Sequence, residues 1–357
     1  MPEPFRVGIT RDFLKADGTL GFGDIGLAML EQAPHIACEF LPDYGSELPP
    51  QVASEFDALL VLAPKVTART LGGATRLTLV ARFGVGYDNV DTPACTRHDV
   101  MLTITPSGVR RPVAVSALAL MLALSHKLMA KDRMTREGRW HDKLNEMGVG
   151  VTGRTLGLIG LGNIGREILR VVAPLDMRYV AYDPHVSADV AREAGAELLS
   201  LDDLLERSDF ICVCCALTAD THHLLDAERL ARMKPSSFLI NVARGPIIDQ
   251  RALTAVLSER RIAGAALDVF EKEPIDADDP LLKLDNVILA PHAICWTDEL
   301  FLGNGRAACQ SILDVSLGVT PRDVVNRDVL ASAMLQQKLA RFAAARIART
   351  GSSDATS

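Results

Sequence analysis

The chain has 357 residues, long enough for two ordinary domains that each bury a sizeable core. Apolar residues make up 48% and charged residues 23%, the balance of a soluble globular protein and not of a disordered or fibrous one. A net charge of −7 argues against a nucleic-acid or anionic-membrane partner, although a local cluster of Arg and His can still receive a small anionic substrate.

The opening stretch Met1–Phe13 has no charged segment leading into an apolar run, so no signal peptide is expected. Arg6–Thr10 reads as a strand and Gly23–Gln32 as a helix. Cys38–Leu41, Asp57–Leu62, Leu77–Arg82 and Met101–Thr105 read as further strands. Strands separated by helix-length segments predict parallel β-α-β units. Pro106 stops the last of these strands, and Val113–Ala130 predicts a long helix. Its most apolar part, Ala114–Leu124, is interrupted by Ser116 and followed by Ser125, His126 and Lys127. It reads as a buried helix too short to span a bilayer.

A second series begins at Arg154. Strands are expected at Leu156–Ile159, Tyr179–Tyr182, Phe210–Leu217, Phe238–Val242, Ala265–Val269 and Val287–Leu289. The helices among them are Ile164–Ala173, Ser187–Ala194, Leu201–Arg207, Ala227–Arg232 and Gln250–Arg260. A return helix follows near Asp298–Leu317, Val329–Ala348 is helical in composition, and Arg349–Ser357 is expected to be disordered. The fold class is therefore α/β, with two doubly wound parallel-sheet domains of Rossmann or flavodoxin type. The seven cysteines have no metal-ligand spacing, and no metal site is expected. Cys212, Cys214 and Cys215 read as reduced packing thiols of a cytoplasmic chain.

The run Leu156–Gly165 places Gly160, Gly162 and Gly165 in GxGxxG spacing between a strand and a helix. In that context the glycines serve a tight turn, backbone approach to a pyrophosphate, and close helix–strand packing. The helix N-terminus adds free N–H groups and a partial positive charge. The second strand ends at Asp183, eighteen residues past Gly165. A carboxylate there accepts bonds from ribose hydroxyls and repels a 2′-phosphate, while Pro184-His185 supplies no arginine to receive one. NAD is therefore favoured over NADP.

Three further segments end strands of the second series, where ligands sit in doubly wound folds. Ile240–Gly245 delivers Arg244, Ala266–Pro274 presents Asp268 and Glu273, and Leu289–His292 ends on a lone histidine. Singly, each reads as a surface ion pair, a solvated turn residue or a satisfied strand-end histidine. Together they supply what reduction of a 2-keto acid needs. A cation holds the carboxylate and polarises the carbonyl, an imidazolium gives the carbonyl oxygen a proton, and a carboxylate fixes and charges that imidazole.

These segments, with Arg82–Asp91, Arg136–Trp140 and Met233–Pro235, resemble the D-isomer-specific 2-hydroxyacid dehydrogenases from about Val7 to Leu317. The resemblance implies that Arg244 binds the substrate carboxylate and carbonyl, with His292 as acid/base and Glu273 as its partner. It implies that the amides of Val85 and Gly86 hold the carboxylate and that Asp268 meets the nicotinamide carboxamide. Asn163 and Ile164 would contact the pyrophosphate, and Val242 and Ala243 the cofactor near its reactive end. It further implies an active-site cleft between the domains and a homodimer built through the cofactor domain. Residues 1–106 with 294–330 would be the substrate domain, 107–293 the NAD-binding Rossmann domain, and 331–357 a helical and disordered tail.

The sequence departs from the family pattern after His292, where Ala293–Thr297 lacks the usual glycine two residues on. Trp296 there either walls the substrate pocket or packs the domain boundary. Val115 stands where an acidic residue is common, and Ala216 where a proline is. Lys65 either reaches an anionic substrate group or is a solvated lysine. The expected activity is a cytoplasmic, NAD-dependent interconversion of a D-2-hydroxy acid and its 2-keto acid. Rival readings are oxidation of another small oxyanion such as phosphite, and an NAD-gated corepressor-like dimer without significant turnover.

Overall fold

The computed structural model describes residues 3–353. They form two compact units, the residues up to Val109 together with those from Thr297 onward, and Arg110–Trp296.

The first unit is built on five parallel strands, β1 (Phe5–Ile9), β2 (Ile36–Phe40), β3 (Ala58–Val61), β4 (Leu79–Arg82) and β5 (Met101–Thr103). Their order is β2-β1-β3-β4-β5, with every pair parallel. Val7, Ile9, Leu59, Leu60, Val61 and Leu79 are buried, so the central strands are apolar on both faces, as helices on both sides of a parallel sheet require. Each such side chain contributes about 1.5–3 kcal/mol by leaving water. The helix expected over Gly23–Gln32 is confined to Ala28–Glu31. Gly23 and Gly26 lie at φ 68° and 75°, which bends the chain out of helical geometry before Ala28.

The unit is completed from the C-terminal side by the helices Asp298–Ser316 and Ala333–Ser353. Leu335, Leu339 and Phe342 of the second helix are buried, with the Phe342 ring edge-on to Phe5 at 4.9 Å. Buried Lys338 donates from Nζ to the Leu77 carbonyl at 2.7 Å, and burial lowers its pKa. The expected disorder from Arg349 is corrected as far as Ser353, because the helix continues that far from the strong helix-forming run Ala343–Arg346. Asp354–Ser357, also in that expectation, lie outside the described residues.

The second unit holds seven parallel strands, β6 (Thr155–Ile159), β7 (Arg178–Tyr182), β8 (Glu197–Leu198), β9 (Phe210–Val213), β10 (Phe238–Asn241), β11 (Gly264–Leu267) and β12 (Val287–Leu289). Their order is β12-β11-β10-β9-β6-β7-β8. Strand order reverses between β6 and β9, and open α/β sheets bind ligands at the carboxyl ends of such a pair. β8, only two residues long, had no periodic signal to reveal it. β9 stops at Val213 and not at Leu217, so Cys214 and Cys215 lie in the loop beyond it.

The long helix expected over Val113–Ala130 runs instead over Pro106–Ser125, with Pro112 inside it, and a second helix covers Leu128–Arg136. The break falls at Lys127, which adopts φ 52°. At 20 residues the first helix is long and apolar enough to cross a membrane, which corrects the shorter estimate. Its Ala114, Ala117, Leu120, Met121 and Leu124 pack into the core against Leu156, Leu158, Ile168 and Leu169.

Candidate active site

Gly160, directly after β6, adopts φ 103°, and a Cβ there would come within 2.7 Å of the Cys215 amide. Gly165 is closed off by the Gly160 carbonyl, so the helix can approach the turn only because neither residue has a side chain. Gly162 differs: a Cβ there would meet nothing within 4 Å. The exposed turn thus offers bare backbone and open space, and the helix Asn163–Val172 starts from it with its first N–H groups unpaired within the helix. A pyrophosphate fits this cradle by shape and by charge.

Asp183, just past β7, braces the turn. Its Oδ2 accepts from the Leu161 amide at 2.8 Å and its Oδ1 from the His185 amide at 2.9 Å. Each oxygen keeps a second lone pair for a hydroxyl donor. Cys214 Sγ donates to the Gly160 carbonyl at 3.0 Å. Its contact with Cys212, and then burial, push this thiol well above the ordinary range, and burial pushes Cys215 up to about 11. Both stay protonated and serve as packing groups, Cys214 also as a donor to the glycine turn.

The loops after β10, β11 and β12 carry Arg244, Glu273 and His292, the residues expected to do acid–base work. Buried Asn241, the last residue of β10, accepts from the Ala243 amide at 3.0 Å and donates to the Arg244 carbonyl at 3.0 Å. One side chain thereby pins the loop that delivers Arg244. Gly245 follows without a side chain because a Cβ would run into the Phe270 carbonyl.

Glu273 accepts the Phe270 amide on Oε1 at 3.0 Å and meets His292 Nδ1 through Oε2 at 2.7 Å. Burial pushes the Glu273 carboxyl up, but the His292 hydrogen bond, the Phe270 amide and the charges of His292 and Arg244 together hold it below the usual range. The carboxylate therefore stays ionised and accepts, which places the hydrogen on Nδ1 and leaves Nε2 as the acceptor nitrogen of the neutral ring.

His292 itself lies at φ 53°, its amide shared between the Asp268 carbonyl at 2.8 Å and the Ala290 carbonyl at 3.1 Å. The Asp268 carboxylate, just past β11 and only 4% exposed, accepts the amides of Ala293 and Ile294 on Oδ1 at 2.9 and 3.0 Å. Burial still raises its pKa despite these two donors. Asp268 is thus the anchor of the histidine loop. That contact is invisible in sequence, because the donors are backbone amides 25 and 26 residues away. Asn241 and the pair His223–Glu271 were likewise not singled out, although Asn241 stands in the quoted run before Arg244.

Val242 and Ala243 lie half-buried in the same loop as Arg244, and Trp296 is half-exposed with its amide on the Ala293 carbonyl at 3.0 Å. In the first unit, Val85 and Gly86 follow β4 in a loop held by reciprocal bonds of Gly84 with Thr105 at 2.8 and 3.0 Å. Lys65 is exposed after β3, on a segment paired with Ser46–Leu48.

Residues 118–293 match the family model described as the D-isomer specific 2-hydroxyacid dehydrogenase NAD-binding domain. A glyoxylate reductase of Korarchaeum cryptofilum is 37% identical over 315 residues, covering 85% of this chain and 93% of its own. A D-3-phosphoglycerate dehydrogenase of Archaeoglobus fulgidus is 38% identical over 273 residues, 76% of this chain but 52% of that longer one. The solved structure of a glyoxylate reductase from Paecilomyes thermophila superposes with a TM-score of 0.78 at 25% identity, covering 91% of this chain and 99% of that one. With the NAD cradle and the two parallel sheets already described, these likenesses settle the family. The chain is a D-isomer-specific 2-hydroxyacid dehydrogenase, an NAD-dependent oxidoreductase acting on the CH–OH group of small 2-hydroxy acids.

Proposed function

We propose that the enzyme reduces a small 2-keto acid to its 2-hydroxy acid, of D configuration where the product is chiral, with His292, Glu273 and Arg244 as the catalytic set. The observation that carries this reading is the 2.7 Å bond between His292 Nδ1 and the Glu273 carboxylate, with the Arg244 charge close enough to lower the Glu273 pKa. NAD in its reduced form supplies the hydride. His292 gives a proton from Nε2 to the carbonyl oxygen, and Glu273 holds the ring in the required tautomer and balances its charge. Arg244 takes the substrate carboxylate and draws electron density onto the carbonyl oxygen through its guanidinium. The reverse direction uses the same groups with His292 as base.

The amides of Val85 and Gly86 are assigned to the substrate carboxylate, and Trp296 and Lys65 to the substrate's remaining groups. Gly160, Gly162, Asn163, Ile164 and Gly165 are assigned to the pyrophosphate and Asp183 to the adenosine ribose. Val242, Ala243 and the second oxygen of Asp268 are assigned to the nicotinamide end. A homodimer through the NAD-binding unit completes the proposal. Relatives that this chain covers almost completely are named glyoxylate reductases, which supports a short-chain keto acid as substrate.

The test is NADH consumption against glyoxylate, hydroxypyruvate, phosphohydroxypyruvate, phenylpyruvate and branched keto acids, with Arg244→Ala alongside. Turnover should be fastest on the short acids. Arg244→Ala should lose at least ~100-fold in kcat/KM, the cost of removing a charged donor from a developing oxyanion, with NADH affinity retained. Unchanged keto-acid kinetics in that variant would overturn the assignment.

A further inference from the structure

We infer that His223 and Glu271 form a clamp that holds the Arg244 turn against the loop carrying Glu273, acting as a positioning pair for the reaction. The inference rests on the roles proposed above for Arg244 and Glu273.

His223 lies at φ 49°, a conformation that favours glycine, yet the residue is a histidine. Its amide donates to the Pro246 carbonyl at 2.8 Å. Two residues on, the Leu225 amide donates to the Ile247 carbonyl at 3.1 Å, and the Asp249 amide returns a bond to Leu225 at 3.0 Å. The segment 223–225 is thus strapped along 246–249, immediately after Arg244.

The ring supplies the second half of the clamp, with His223 Nε2 hydrogen-bonded to Glu271 Oε1. Glu271 in turn is fixed from both ends. Its Oε2 accepts the Gln250 amide at 3.3 Å, and its own amide donates to Gln250 Oε1 at 3.1 Å. Gln250 Nε2 then donates to Asp279 Oδ2 at 2.8 Å. Between strap and loop sits Gly245, whose missing side chain would overlap the Phe270 carbonyl and crowd the Glu271 amide. The Arg244 turn is therefore held on one side by the His223 strap and on the other by the Phe270–Glu271 backbone.

Such a clamp matters because Arg244 lowers the Glu273 pKa through space, so the separation of the two charges is part of the site's electrostatics. Loosening the turn lets the guanidinium drift from the substrate carbonyl. Neither His223 nor Glu271 needs to touch substrate for this. A histidine at a backbone position that suits glycine also makes a separable prediction: glycine should please the fold and harm the reaction.

The experiment compares His223→Gly, His223→Gln and Glu271→Ala with the wild type. It reads keto-acid kinetics, NADH affinity, melting temperature, and hydrogen exchange at the amides of Arg244, Gly245, Ile247 and Ile248. His223→Gly should melt no lower than wild type and bind NADH equally, while kcat falls about 10- to 100-fold, the range for ångström-scale misplacement of a catalytic group. Exchange at the four amides should quicken by a similar factor. Glu271→Ala should share both effects, and His223→Gln, which can still donate to Glu271, should restore most of kcat. The clamp is overturned if His223→Gly keeps wild-type kcat and exchange, or if its activity falls only in step with its melting temperature. A wild type inactive on every keto acid would sink the proposed function instead, and the exchange data would still decide the clamp.

Discussion

Replacing Asp268 by Asn and by Ala should separate the charge of this residue from its hydrogen bonds. The side chain is 4% exposed and its Oδ1 accepts two amides of the histidine loop, at 2.9 and 3.0 Å. Burial nevertheless raises its pKa above the ordinary 3.8, so the folded protein holds this proton more tightly than the unfolded chain does. Stability contributed by the group therefore falls as pH rises from 3.8 through the folded value, and the deficit persists at neutral pH. Asn keeps an oxygen able to accept both amides and removes the buried charge, so its melting temperature at about pH 7 should match or exceed that of the wild type.

Ala leaves both amides without their acceptor in a half-buried loop. At about 1 kcal/mol each, the low end for such groups, with a little more for lost packing, the cost is roughly 2–3 kcal/mol. For a unit of this size that is a fall of about 4–12 °C. Scanning calorimetry of the three proteins at neutral and mildly acidic pH measures the difference directly. Equal losses in Asn and Ala at neutral pH would refute the reasoning, because they would mean that the charge itself holds the loop.

Glu273 carries the opposite sign. Its folded pKa lies below 4.5, so its ion pair with His292 stabilises the protein above that pH and is lost as pH falls through the folded value. Acid unfolding of Glu273→Gln should accordingly begin at higher pH and be less steep between about pH 5 and 3, as followed by circular dichroism. Gly162→Ala should melt like the wild type, since its Cβ meets no protein atom, yet weaken NADH by at least ~10-fold by filling the pyrophosphate approach. Gly165→Ala, which collides with the Gly160 carbonyl, should lose stability and NADH binding together in the same assays. Deleting the chain after Ser332 removes Leu335, Leu339 and Phe342 from the core. At about 1.5–3 kcal/mol each that consumes most of a typical folding free energy, so the truncated protein should be recovered largely unfolded or aggregated.

The parts of the fold that were legible are those whose signal is local. The strands β6, β7 and β12 are short apolar runs bounded by turn residues, and the glycine spacing sits between a strand and a helix as its mechanism demands. Errors fall where tertiary context outweighs propensity. The long helix was expected to start at Val113, yet it runs from Pro106 through Pro112, and Lys127 breaks the next stretch with a left-handed φ that no composition rule assigns to lysine. The helix expected over Val329–Ala348 runs on to Ser353, and its Leu335, Leu339 and Phe342 share one buried face.

The candidate site divides along the same line. Arg244, Glu273 and His292 could be named because cations, carboxylates and imidazoles are the groups that such chemistry needs. What could not be named is how each is mounted. Arg244 sits on a turn fixed by Asn241, and His292 on a loop fixed by the Asp268 carboxylate. Asn241 closes the buried parallel strand β10 and Asp268 directly follows β11, and both spend their side chains on backbone groups. The arrangement follows from the sheet: a parallel strand delivers its last residue into the core, where an unpaired loop amide is costly and a short polar side chain is the nearest acceptor. A polar residue that closes an otherwise apolar strand, one to four positions before a reactive group, therefore reads first as a mount and only second as a ligand. On that rule Asn241 was recoverable from Ile240–Gly245. Asp268 was not, because its loop returns from a different strand.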